Sequence, residues 1–220
     1  MSIESSAGMA YLLHYGLIPK EHPYYEMILD LHNELYTAYG CAFQQAFSFP
    51  YDRFHLRQGN VSAFLHEYYY TMAATSDRET YYFLEGYDRN GEAKLNEQAM
   101  WCMQTRRMLF MEEGTELKLL AGIPRWYMER GISMKGAACY FGKLDFSVVP
   151  DSSLVNTVQV DLTLYPHKDC APEAVYIRLP HPQEKRICST ELGTVLADGE
   201  TIKVSIESLR GQTVWNISYK

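Results

Sequence analysis

The stretch that decides the fold is Asn96–Gly114, NEQAMWCMQTRRMLFMEEG. From Asn96 to Glu112 it reads as a helix with Met100, Trp101, Met103, Met108, Leu109 and Phe110 spread over more than one side. A helix that is apolar most of the way round packs between layers. Glu113-Gly114 ends it, and beyond that point the hydrophobic period falls from 3.6 to 2. The chain therefore divides into a helical half and a strand half, an α+β protein with segregated elements.

Working outward, the earlier sequence keeps the helical period. Tyr24, Met27, Ile28, Leu31, Leu35, Ala38 and Tyr39 form one i, i+3, i+4, i+7 stripe. Pro23 suits its first turn and Gly40 its C-terminal exit. A preceding helix over 7–17 carries Met9, Leu12 and Leu13, and a link from Ile18 to His22 makes the two a helical hairpin. Asn60 is placed to cap a further helix whose stripe is Val61, Phe64, Leu65, Tyr68 and Met72, broken at Ser76-Asp77.

On the other side, Val158, Val160, Leu162 and Leu164 alternate with Gln159, Asp161 and Thr163. Val175, Ile177 and Leu179 repeat the pattern, as do Ile202, Val204 and Ile206, and Trp215, Ile217 and Tyr219. Pro150-Asp151-Ser152, Tyr165-Pro166-His167, Asp198-Gly199 and Arg210-Gly211 are turn signals between strands. Roughly six to eight short antiparallel strands at this spacing predict a β-sandwich. The expectation is α-helical hairpins over 1–113 followed by an antiparallel β-sandwich over 114–220.

Composition removes several function classes. The net charge is −7 and no more than two basic residues stand together, which argues against a nucleic-acid partner. No run of about 18 apolar residues occurs, so no membrane span is expected. MSIESSAGMAYLLHYGL lacks the basic start and clean apolar stretch of a signal peptide, and the compartment stays open. The five cysteines are scattered without a CxxC pair, and the histidines show no HxH or HExxH spacing. No disulfide framework, metal site or cofactor is expected. Tyrosine outnumbers phenylalanine 18 to 9, which suits half-wet surfaces.

Two stretches carry candidate chemistry. Asp77-RETYYFLEG-Tyr87 sets Glu79 and Glu85 among Tyr81, Tyr82, Phe83 and Tyr87. A carboxylate packed by rings has a raised pKa suited to acid or base work. The structural alternative is that Glu85 caps a helix or pairs with Arg78 or Arg89. Cys41–Arg57 reads as a long loop offering Gln44, Gln45, Tyr51, Asp52, Arg53 and His55 among phenylalanines, a mixture suited to a sugar. Covering the helix ends is the equally open alternative. His66-Glu67 reads as an ordinary polar pair.

Four segments in order, Asp77–Glu85, Met103–Leu109, Leu119–Trp126 (LLAGIPRW) and Val175–Pro182 (VYIRLPHP), resemble the C-terminal part of bacterial six-hairpin glycosidases over about residues 4–220. These have an (α/α)6 barrel followed by a β-sandwich. The resemblance implies that the helical half is a partial α/α toroid. In the rhamnosidase-like inverting relatives a Thr-x-x-Trp-Glu pattern supplies the general base. Here Glu85 follows Thr80 with Leu84 in the tryptophan's place, so Glu85 is the implied base and Glu79 its neighbour. Gln45, Tyr51, Asp52, His55, Tyr81 and Tyr82 are the implied sugar contacts, and a carbohydrate the implied ligand. The second carboxylate, held about 6.5–9.5 Å from the base in inverting enzymes, comes from earlier barrel helices. The chain is then expected to be an incomplete, singly inactive portion of a glycoside hydrolase. Its partners would be the missing N-terminal barrel portion or another copy of itself. The competing readings are a non-catalytic carbohydrate-binding or scaffold module, and a compact α+β protein unrelated to sugars.

Overall fold

The structure, a computed structural model, describes residues 9, 11–13, 15–38, 51–84, 93–152, 155–168, 170–211 and 213–220, with the backbone alone at 32, 33, 35–38, 51 and 74. The protein is mixed α+β and divides into two compact units, Met1–Arg107 and Met108–Lys220.

The first unit holds α1 (Tyr24–Ala38), α2 (Tyr51–Gln58), α3 (Val61–Thr75) and most of α4 (Leu95–Leu109). A helical turn at 11–13 stops at Gly16, whose φ of +68° a side chain would strain. Leu13, Tyr25, Ile28, Leu29 and Phe54 form a buried cluster with Met9 and Ile18 against it. The α1 stripe and the preceding turn thus share one core. Asn60 caps α3 as expected, its Oδ1 accepting from the Ala63 N–H at 3.1 Å. Ser76 closes the helix, donating its N–H to the Met72 carbonyl.

Two expectations change here. Residues 51–57, read as loop, form α2, with Asp52 in its first turn and His55 and Arg57 in its last, the charge order a helix dipole favours. The Asn96–Glu112 helix ends at Leu109, and Phe110–Glu113 is strand β1, paired with β2 (Glu116–Leu119) around the Gly114 turn. The Leu109 carbonyl accepts from Leu120 N–H and the Met108 carbonyl from Gly122 N–H. The chain returning from β2 therefore satisfies carbonyls that would otherwise extend the helix.

The second unit carries two five-stranded sheets, ordered β1-β2-β6-β9-β8 and β3-β4-β5-β10-β7. The further strands are β3 (Ile132–Cys139), β4 (Gly142–Pro150), β5 (Thr157–Pro166), β6 (Ala174–Arg178), β7 (Ile187–Thr190), β8 (Thr194–Val195), β9 (Thr201–Ser205) and β10 (Val214–Tyr219). Burial alternates as the period-2 patterns require: Leu144, Phe146 and Val148 in β4, Val158, Val160 and Leu162 in β5, Trp215, Ile217 and Tyr219 in β10. Each such side chain contributes about 1.5–3 kcal/mol. The pairs are antiparallel apart from β2–β6, which is parallel, a departure from the all-antiparallel expectation. Arg210-Gly211 is no strand turn but lies in the short helix α5 (Ile206–Gly211). Ser205 Oγ accepts from Ser208 N–H at 3.2 Å and starts that helix. Among the described residues no helix is long and apolar enough to cross a membrane.

Candidate functional site

The segment expected to carry catalysis begins as a tight turn. Asp77 Oδ1 accepts from Glu79 N–H (3.0 Å), Thr80 N–H (2.7 Å) and Thr80 Oγ1 (2.8 Å). Ser76 bridges Phe83, and Tyr81 takes a left-handed φ of 60° between them. This knot explains where the side chains go. Glu79 is exposed, not ring-packed, so the desolvation expected of it is absent. Tyr81 is 86% exposed and Tyr82 50%, while Phe83 turns inward. Glu85 and Gln45 lie outside the described residues, as does the Tyr51 side chain.

Asp52 and His55 are the candidates that the fold gathers in, and it buries them. Each is 1% exposed on α2. Arg107, on α4, donates from Nη1 to both Asp52 oxygens at 2.9 and 2.8 Å. His55 Nε2 stands 3.8 Å from Glu67 Oε2 on α3. α2 is thereby set against α4 through an ion pair and against α3 through a second pair of ionisable groups. Glu67, Thr71 and Thr75 on α3 and Glu97 and Gln104 on α4 complete a polar interior.

Burial sets the electrostatics. It lowers the His55 pKa to about 4, so the ring is neutral at pH 7. It raises the Glu67 pKa well above the usual carboxylate range, helped by the Asp52 charge and opposed by that of Arg107. A buried carboxyl that holds its proton more tightly than usual, beside a neutral imidazole, is the kind of pair that can give and take a proton. Ring contacts close one side: Tyr68 stacks on Trp101 at 5.7 Å and 21°, and Phe83 tilts onto Trp101 at 5.5 Å. Tyr68 Oη and Thr105 Oγ1 share a hydrogen bond at 2.9 Å.

The sequence reading missed Glu67, Gln104 and Arg107. The signal was positional: Glu67 and Thr71 fall three and seven residues after Phe64, on the buried stripe, and Gln104 falls four before Met108. Reading Glu67 only beside His66 hid this, since neighbours face different ways. Among the described residues no group of three or more His, Cys, Asp or Glu is arranged to hold a metal ion.

In the second unit, the stretches Leu119–Trp126 and Val175–Pro182 are bonded together. Arg125 donates to the His181 carbonyl at 3.3 Å, and Arg178 to the Ile123 carbonyl at 3.0 Å. Glu200 receives both guanidinium groups, Arg125 on Oε1 and Arg178 on Oε2. His181 is fully buried, accepts from Gln183 N–H at Nδ1, and lies edge-on to Tyr219. On the other sheet, β3, β4 and β5 line an open groove with Ser133, Lys135, Asp145, Ser147, Asp161 and Thr163.

Neither the protein-family models nor the curated proteins give a match to this chain.

Proposed function

We propose that the chain is the barrel-end and sandwich portion of a glycoside hydrolase of the six-hairpin type. The whole hydrolase acts on O-glycosidic bonds of oligo- or polysaccharides by general acid/base catalysis, and this portion is inactive by itself. In this reading α1–α4 belong to an α/α toroid and the two sheets form its trailing sandwich. The observation that carries the reading is the polar interior of the helical unit. Helices that existed only to fold would bury an apolar seam, whereas α2–α4 bury Asp52, His55, Glu67, Glu97 and Gln104. Charged interiors of this kind mark functional walls. The Arg125–Glu200–Arg178 junction adds support, since it ties together two of the four segments that carry the resemblance.

Glu85 is the proposed base. Its acid partner comes from the barrel helices that this reading places outside the chain, while burial raises the Glu67 carboxyl above the ordinary carboxylate range. The test is hydrolysis of aryl glycosides and oligosaccharides, with sugar binding measured alongside by calorimetry. The chain should bind sugar without turning it over, and Glu67→Gln should leave that binding in place. Failure to bind a sugar of any kind would end the reading.

A second reading, a carbohydrate-binding module without chemistry, is favoured by the hydroxyl- and carboxylate-lined groove on β3–β5. There Ser147→Ala and Thr163→Ala would abolish sugar binding while changes in the helical unit would not.

A further inference from the structure

We draw no further inference here: the strongest candidate, the open groove across β3, β4 and β5 that Asp145 and Asp161 line beside Ser147 and Thr163, belongs to the site of the second reading above, and its acidic pair has no second observation in the structure to say which other ligand it would hold.

Discussion

His55 and Glu67 stand 3.8 Å apart and answer pH in opposite senses. The folded pKa of His55 lies below its unfolded value, 6.5 falling to about 4. Its contribution is therefore present above pH 6.5 and is lost as pH falls from there to about 4. The shift corresponds to about 3 kcal/mol. The folded pKa of Glu67 lies above the ordinary glutamate value of 4.5, so its contribution is present below that pH and is lost as pH rises through the folded pKa. His55→Gln should flatten the loss of helical stability between pH 6.5 and 4, measured by urea unfolding at a series of pH values. An acid limb as steep as the parent's would show that His55 is not its source. The Asp52–Arg107 pair yields a second expectation. Arg107→Met leaves a buried carboxylate alone and should cost about 3–5 kcal/mol, and adding Asp52→Leu should recover much of it. At this scale the sequence named Asp52 and His55 without their setting. The ion pair joins residues 55 apart in the chain, and no local pattern announces such a partner.

Gly142 shows what a single backbone position does for an element. It opens β4 at φ +141°, and a Cβ there would stand 2.1 Å from the Tyr165 carbonyl oxygen and 2.9 Å from the Pro166 Cα. Both contacts are with backbone and cannot swing aside. Gly142→Ala should cost roughly 3 kcal/mol or more from left-handed strain and overpacking together, read as a lower urea midpoint of the β unit. A loss no larger than that of an exposed-site control such as Gly114→Ala would mean β4 and β5 can part locally. Elements were legible where one rule governed them. β5, β6, β9 and β10 keep a clean period of 2, and α3 has its asparagine cap. β3 is different, since its pairing with β4 shifts register between Met134 and Ala137 around the left-handed Gly136. A bulge breaks alternation and hides the strand. α2 was hidden in another way: aromatic residues with polar ones between them suit a loop lining and a short buried helix alike, and Phe54 at 0% exposure decides for the helix.

The molecule as a whole comprises two units with cores of different character, one threaded with ionisable groups, the other apolar beside the Arg125–Glu200–Arg178 junction. Calorimetry should resolve two transitions. His55→Gln should move only the helical one, and Glu200→Gln, which weakens the hold on Arg125 and Arg178, only the other. Transitions that shift together in both variants would indicate a single cooperative unit. The broad order of helices then strands was readable because hydrophobic period is a property of each segment. Which strands share a sheet was not, because β2 pairs with β6 across the whole of β3, β4 and β5.

That parallel pair also sets an order of events in time. β3–β4 and β4–β5 are consecutive antiparallel neighbours and need only short loops to close. The register Glu116↔Ala174 to Leu119↔Ile177 cannot form until everything from Leu120 to Glu173 has been gathered. Loop closure over that span is entropically costly, and contacts of large sequence separation slow folding. The meander is therefore expected to assemble before the β2–β6 seam. Leu117→Ala, at the centre of the seam, should speed unfolding while leaving the refolding rate nearly unchanged, whereas Phe146→Ala in the meander should slow refolding.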